Sequence, residues 1–495
     1  MNNNTSSIVS KVWSFCNPLR DIGVGYGDYL EQLTYLLFLK MADEFSKPPY
    51  SRELPIPKEY NWESLTSKRG DALELHYSKL LGELSKQKGI LGQIFVQSQN
   101  KIKEPAMLYK IIDMIDKEQW ATLGADIKGT IYEGLLEKNA EDTKSGAGQY
   151  FTPRALIRAM VQCVQPEPKK TIADPACGTG GFFLAAYDYI ANGNLDKEQK
   201  KFLKFQTFHG NEIVAGTRRM CLMNMFLHNI GDIDSDNIIS PADALVADTG
   251  LRVDYVLANP PFGRKSSMTA TNEEGEQETD ELTYNRQDFW ETSSNKQLNF
   301  VQHIRTMLKS TGQAAVVVPD NVLFEGGAGE TVRKKLMETT ELHTILRLPT
   351  GIFYKQGVKA NVIFFDNKPA AKEAWTKEIW IYDFRTNIHF TLKKNPLKLE
   401  DLKDFITCYN PNNRHKRKEI FNAETNPEGR WRKFSYKEII ARDKTSLDIS
   451  WLKDNSLADL DNLPDPDVLA GDIIENLEAG LESFREIMLT INGKE

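Results

Sequence analysis

Long apolar runs are missing from this 495-residue chain. YLLFL and AAVVV are among the longest, far below the roughly 20 residues that a membrane-spanning helix needs. The opening stretch MNNNTSSIVSKVW is polar and has no apolar signal region. Cysteine is scarce: Cys16, Cys163, Cys177, Cys221 and Cys408 are odd in number, scattered, and contain no C-x-x-C pair. That pattern indicates neither a disulfide framework nor a zinc site, so no metal is expected and a reducing cytoplasm fits. A basic surplus is missing too. The net charge is −7, of which residues 451–495 hold −8, so the first 450 residues carry +1. Such a body does not repel a polyanion, yet it lacks the basic face of a stand-alone nucleic-acid binder. What is present is 40% hydrophobic and 26% charged, an ordinary globular composition long enough for two or more domains.

Residues 1 to about 130 read as helical. In YGDYLEQLTYLLFLKMADEF, Leu30, Leu33, Leu37 and Met41 recur at three- and four-residue steps, with Glu31, Gln32 and Lys40 off that stripe. A proline-rich loop, SKPPYSRELPIPKEY, interrupts the helices. From about 170 short apolar runs alternate with helical stretches: TIAD, TFHGNEI, DYVLAN, AAVVVP, HTILRL, NVIFF and IWIYDF. Alternation of this kind predicts an α/β fold with a mostly parallel sheet covered on both faces. Residues 263–299 interrupt it with a polar stretch that reads as a long loop. Near the end, Ile474, Leu477, Leu481, Phe484, Met488 and Ile491 form an a/d seam; the blander reading is a helix packed on its own domain, but the narrow stripe after LPDPD favours a helix that docks a partner. The expected division is a helical domain over 1–130, a catalytic domain over 131–450 and an acidic docking tail over 451–495.

Five sites stand out. In TIADPACGTGGFF, a strand ends at Asp174 and turns through Gly178, Thr179 and Gly180 into a helix. Glycines admit a ligand close to the backbone, and a helix start offers free N–H groups. The blander reading is a tight strand–helix turn. Phe183 stands where a dinucleotide fingerprint needs glycine, which argues against an oxidoreductase. The acidic residue suits a ligand with positive charge, such as a sulfonium amino acid. Glu212 closes the next strand, where a carboxylate accepts from both hydroxyls of a ribose; a solvated strand-end glutamate is the alternative. Asp243 follows a third strand and is placed either to take an adenine amino group or to cap a helix.

The fourth site is Asn259-Pro260-Pro261-Phe262. Prolines lack a donor and fix φ, so the pair ends a strand on stiff backbone. The Asn259 side-chain oxygen and the Pro260 carbonyl are both acceptors. Two fixed acceptors suit a planar amine such as N6 of adenine, whose lone pair is tied into the ring. Phe262 can stack on such a base, and a plain turn would not need this tetrad. The fifth is GAGQYFTPRAL, where Thr152 reads as an N-cap with Pro153 at the first helical position, and Tyr150 or Phe151 can cover a bound group.

GQYFTPR, DPACGTGGF and NPPFG, in that order, resemble the motifs of the modification (methyltransferase) subunits of type I restriction–modification systems. PLRDIGVGYGDYLEQLTYLLFLKMADEF resembles their N-terminal helical domain, and GQAAVVVPDNVLF and LPTGIFY their later strands. The resemblance implies a Rossmann-like S-adenosylmethionine-dependent methyltransferase sheet. It implies cofactor contacts from Gln149, Tyr150, Phe151, Thr152, Pro153, Arg154, Gly178, Thr179, Gly180 and Glu212, and a flipped adenine held by Asn259 to Phe262. It also implies double-stranded DNA as substrate, a second modification subunit, a separate specificity subunit and an optional restriction subunit. The rival in the same motif class is methylation of a protein glutamine amide; the helical domain and the tail argue against it. A non-catalytic scaffold is disfavoured by the intact tetrad.

Overall fold

The computed structural model describes residues 14, 26–51, 56–120, 152–228, 230–231, 238–262, 267–271, 277–281, 284, 286–353, 358–392, 395–454, and 470, 471, 473, 474, 477 and 481. In chain order come helices α1 (Tyr26–Ser46), α2 (Trp62–Thr66), α3 (Gly70–Leu84), α4 (Gly89–Phe95), α5 (Pro105–Asp116) and α6 (Arg154–Val164). Then follow β1 (Ile172–Asp174), α7 (Gly181–Ala191), α8 (Lys197–Phe205), β2 (Phe208–Asn211), α9 (Ala215–Leu227), β3 (Ile239–Ser240) and β4 (Val253–Ala258). Next are β5 (Ser267–Thr271), β6 (Gln277–Glu281), α10 (Lys296–Met307), β7 (Leu308–Pro319), α11 (Asp320–Phe324), α12 (Ala328–Thr339) and β8 (Thr340–Arg347). The series ends with β9 (Ala360–Asn367), β10 (Glu378–Asp383), α13 (Lys403–Tyr409), β11 (Trp431–Ser435) and α14 (Tyr436–Ile440).

Two compact units divide the chain: residues 1–149 with 177–243, and residues 150–176 with 244–495. The boundary at 176/177 falls inside the turn that follows β1.

In the first unit α1 is buried on more than its apolar stripe. Leu33, Leu37 and Met41 are fully buried, and so is Gln32. Its amide donates to the Gln99 carbonyl at 2.9 Å and accepts from Tyr77 Oη at 3.3 Å. Lys40, also off the stripe, is buried and reaches Asp116 at 2.8 Å. Neighbouring helices surround α1, so the polar positions are satisfied internally rather than by water. Helix α9 joins this helical cluster. Phe226 packs on Phe38 with centroids 5.4 Å apart, and Arg219 pairs with Glu31 while its Nε donates to the Ile94 carbonyl at 2.8 Å. Strands β2 and β3 of the same unit pair in parallel.

In the second unit the strand order is β11-β10-β8-β9-β7-β4-β1. Pairs β1·β4, β4·β7 and β8·β10 are parallel, whereas β7·β9, β8·β9 and β10·β11 are antiparallel. Within this unit the sheet is therefore mixed, with three parallel pairs and three antiparallel ones. β8 and β9 are consecutive and pair directly, which antiparallel geometry allows without a crossover helix. Alternation along β9 sends Ile363 and Phe365 to a core shared with Val301, Ile304, Leu336 and Met337 of α10 and α12. Phe364 faces the other way, onto Phe405 and Tyr409 of α13 at 6.0 and 5.1 Å. Buried helices on each face explain why β9 is apolar at successive positions.

Several expectations are corrected. Segment 263–299 is not one loop: β5 and β6 form an antiparallel hairpin, and α10 begins at Lys296. Arg286 in that segment is buried, donating to the Ala244 and Leu245 carbonyls and pairing with Asp288. Of the tail seam, Ile474, Leu477 and Leu481 are helical and exposed; Phe484, Met488 and Ile491 lie outside the described residues.

Candidate functional site

The tetrad 259–262 leaves the C-terminal end of β4, a strand held between β1 and β7. Ala173 is level with Val256, and Ala258 with Val316. Ligands of open α/β sheets bind beyond such strand ends. Pro260 is buried, Pro261 is exposed, and Asn259 is half-buried. The Asn259 Nδ2 donates to Thr152 Oγ1 at 2.8 Å, while Oδ1 is buried without a hydrogen-bond partner among the described residues. A buried acceptor left unpaired costs about 1–3 kcal/mol, so it signals a missing donor. Phe262 is partly exposed, and Phe353 braces it at 5.9 Å with the ring planes at 71°.

Thr152 does not cap the helix that follows. Helix α6 starts at Arg154 with Pro153 in the flanking position, and no side chain caps its first turn. The threonine hydroxyl serves Asn259 instead. Pro153 and Arg154 are half-buried at the start of α6. Gln149, Tyr150 and Phe151 lie outside the described residues.

Asp174, at the end of β1, is 2% exposed, and its Oδ1 accepts from the Ala176 N–H at 3.0 Å. Its first task is to hold the turn.

The glycine turn continues in the first unit. Gly178 and Gly180 have φ of +55° and +84°, values that side chains other than glycine rarely adopt. Their surroundings differ. A Cβ on Gly178 would meet nothing within 4 Å, whereas one on Gly180 would lie 2.9 Å from Cys221 Sγ. Gly180 is required by packing, and Gly178 leaves open space beside the backbone. Phe183 is fully buried against Phe208 at 5.4 Å, so it fills the place where a dinucleotide site packs glycine. The Thr179 carbonyl accepts from Asn224 Nδ2 of α9 at 3.0 Å. Asn224 was not singled out in the sequence; its only signal is an amide inside the apolar run CLMNMFL.

Glu212 follows β2, and both its oxygens are engaged. Oε2 accepts from the Gly178 N–H at 3.1 Å and Oε1 from the Val214 N–H at 2.7 Å. Burial pushes its carboxyl above the ordinary value, against these two bonds, which favour the charged form. A carboxylate has about four lone-pair sites, so two remain for a ligand. The Glu212 N–H donates to the Ser240 carbonyl at 2.9 Å, and Asn211 Nδ2 to the Ala242 carbonyl at 3.1 Å. These bonds set the path to Asp243, which is half-buried and followed by a turn, so it caps no helix.

A family model described as "N-6 DNA Methylase" matches residues 123–449, and one described as "HsdM N-terminal domain" matches residues 8–115. The chain belongs to the N-6 DNA methylases. Within them it is a methylase subunit of the type I restriction–modification kind. It is 39% identical to the type I restriction enzyme StySJI methylase subunit of Salmonella typhimurium, over 99% of this chain and 95% of that protein. The same identity and coverage hold for the EcoKI methylase subunit of Escherichia coli. The crystal structure of the EcoKI M protein superposes with a TM-score of 0.54 at 34% identity, covering 98% of this chain and 96% of that one. A type I methyltransferase subunit from Streptococcus thermophilus shares the fold, with a TM-score of 0.67 at 18% identity over 89% of this chain and 98% of that one. This methylase subunit is thus an adenine-N6 DNA methyltransferase, and methylation of a protein glutamine is not favoured. Membership of this methyltransferase family implies the use of S-adenosylmethionine, and the open Gly178 and the spare acceptors of Glu212 fit a nucleoside cofactor.

Proposed function

We propose that this methylase subunit holds a flipped adenine at Asn259, Pro260, Pro261 and Phe262 for methylation at N6. The observation that supports this most is the buried Asn259 Oδ1 with no partner among the described residues. Oδ1 and the Pro260 carbonyl accept from the two amine hydrogens. That draws the N–H bonds out and frees the nitrogen lone pair, an electrostatic effect that requires acceptors fixed in advance. The two prolines keep them fixed. Phe262 stacks on the base, worth about 1–3 kcal/mol, which offsets much of the few kcal/mol that extruding a base costs.

S-adenosylmethionine, when bound, supplies the electrophilic methyl group. Glu212 accepts from its ribose, Asp243 from its adenine amine, and Gly178, Thr179 and Gly180 line it. Asp174, Gln149, Tyr150, Phe151, Pro153 and Arg154 complete that set in the family pattern, while Thr152, which that pattern also includes, gives its hydroxyl to Asn259. Residues 1–130 form the helical domain, 131–450 the catalytic domain and 451–495 the docking tail.

The DNA sequence is read by a separate specificity subunit. Residues 1–450 carry only +1, too little to grip phosphates on their own. A second modification subunit, and optionally a restriction subunit, joins the complex. A cytoplasmic location suits a DNA-modifying enzyme; no helix among the described residues is long and apolar enough to cross a membrane.

The test is Asn259→Ala in the complex assembled with the specificity subunit. Methyl transfer should be lost while cofactor affinity stays near wild type. Turnover at the wild-type rate would overturn the assignment of Asn259.

A further inference from the structure

We infer that Thr152 is a positioning residue for the methyl-transfer step, its hydroxyl anchoring the Asn259 carboxamide in the pose that leaves Oδ1 free to accept. The inference rests on the acceptor role proposed for Asn259.

The two ends of a carboxamide are almost the same size and differ in hydrogen-bond sense: the oxygen accepts, the nitrogen donates. Packing alone therefore cannot choose between the two orientations related by a half-turn. A target amine brings hydrogens, so it needs the oxygen. The opposite orientation would face an amine with a second NH2 group, donor against donor.

In this structure one contact anchors the carboxamide. Nδ2 of Asn259 donates to Thr152 Oγ1 at 2.8 Å, which leaves Oδ1 as the buried, unpartnered atom. The hydroxyl could also donate to Oδ1, so it fixes the position and plane of the carboxamide, and the hydrogens of the incoming amine favour the pose in which Oδ1 stays outward. The anchor is rigidly mounted. Pro153 follows Thr152 and leads into α6, whose Leu156, Ile157, Met160 and Val161 are buried. The proline carbonyl accepts from the Ile157 N–H at 3.0 Å, tying the residue after Thr152 to the first helical turn. Asn259 is mounted as firmly, between β4 and Pro260. Neither partner has to be ordered when the substrate arrives, which is where preorganised hydrogen bonds act on rate.

This account separates Thr152 from the cofactor contacts of its neighbours. A threonine that touched the cofactor would govern cofactor affinity. A threonine that orients Asn259 governs kcat.

The experiment compares Thr152→Val and Thr152→Ser with wild type in the assembled complex, with Asn259→Ala alongside. Valine keeps the shape and removes the acceptor; serine keeps the hydroxyl. The readouts are single-turnover methylation of target DNA and titration of S-adenosylmethionine, with thermal melting as a folding control. Thr152→Val should lower the methylation rate roughly three- to ten-fold, the range for one hydrogen bond, with cofactor affinity unchanged. Thr152→Ser should recover most of the rate. A Thr152→Val enzyme that methylates at the wild-type rate would overturn the proposal, as would one whose only defect is weaker cofactor binding. If Asn259→Ala is fully active, the acceptor reading itself fails, a result distinct from either of these.

Discussion

The backbone N–H of Gly178 donates to Glu212 Oε2 at 3.1 Å, across 34 residues of chain. The bond ties the glycine turn to the residue after β2. The turn therefore does not offer all its N–H groups to a ligand; one of them fixes a carboxylate. A ligand that uses the open space beside Gly178 meets an acceptor already in place.

The first prediction follows from that bond. Glu212→Ala removes a charged acceptor, worth roughly 1.5–3 kcal/mol per hydrogen bond, and should weaken cofactor binding about ten-fold or more. Glu212→Gln should also bind weakly. The charged form is the acceptor, and burial raises the Glu212 carboxyl above its ordinary value. Wild-type affinity should therefore decline as pH falls, starting above the usual glutamate range, while Glu212→Gln stays flat. Calorimetric titrations from about pH 8 to about pH 5 read this directly; a flat wild-type profile would contradict it.

A second prediction separates the two glycines. Gly180→Ala sets a Cβ 2.9 Å from Cys221 Sγ in addition to the strain of positive φ. Gly178→Ala meets only the backbone strain, on the order of 1–2 kcal/mol. The melting temperature should fall further for Gly180→Ala. Gly178→Ala should instead show its larger effect on cofactor affinity, since the added methyl enters the open space. Equal losses of stability in both variants would remove the distinction.

The basic run at 414–418 yields a third. Its two arginines face inward: Arg414 pairs with Asp366, and Arg417 donates to the Tyr409 carbonyl and lies over the Tyr409 and Trp431 rings. His415, Lys416 and Lys418 are exposed. Burial alone would raise the Asp366 carboxyl, yet His343 and Arg414 beside it hold it well below its ordinary value. A depressed carboxyl adds stability that is present above the ordinary aspartate range and lost as pH falls. Arg414→Ala should cost about 1–3 kcal/mol at neutral pH, with the gap to wild type narrowing in strong acid. Exchanging Lys416 and Lys418 for alanine should move stability by no more than about 0.5 kcal/mol. If these lysines meet phosphate in the assembled complex, the same exchange flattens the salt dependence of DNA binding. Urea unfolding at several pH values checks the first part, and binding at graded salt the second.

The fourth concerns the tail. Ile474, Leu477 and Leu481 are 56%, 68% and 53% exposed on a helical stretch. Deleting residues 470–495 should weaken assembly with the specificity subunit and spare cofactor binding. Leu477→Asp alone should reproduce much of the loss. Co-elution of the truncated chain at wild-type stoichiometry and concentration dependence would remove the docking role.

How much of this could be read beforehand depends on the range of the forces involved. The tetrad was legible because its stiffness is local: two prolines act on the backbone they belong to, wherever the chain places them. The strand–helix alternation was legible for the same reason, since periodicity reports which side of an element is covered. The glycine turn and Phe183 were legible as a pattern, and Phe183 does fill the position that excludes a dinucleotide. The sequence could not reveal partners chosen across long separations. Thr152 reads as a helix cap from its neighbours, yet its hydroxyl is taken by Asn259, 107 residues away. Nothing in the stretch RHKRK around Arg414 shows that its partner is Asp366, 48 residues back. Gln32 lies off an apolar stripe and is buried nonetheless, because helices close over α1 from several sides. The antiparallel placement of β9 between β7 and β8 is likewise a matter of pairing, which no single strand encodes. Sequence by itself determined which groups can do the chemistry. Tertiary structure decided which hydroxyl anchors Asn259, because a hydrogen bond between distant residues exists only once the fold brings them within 3 Å of each other.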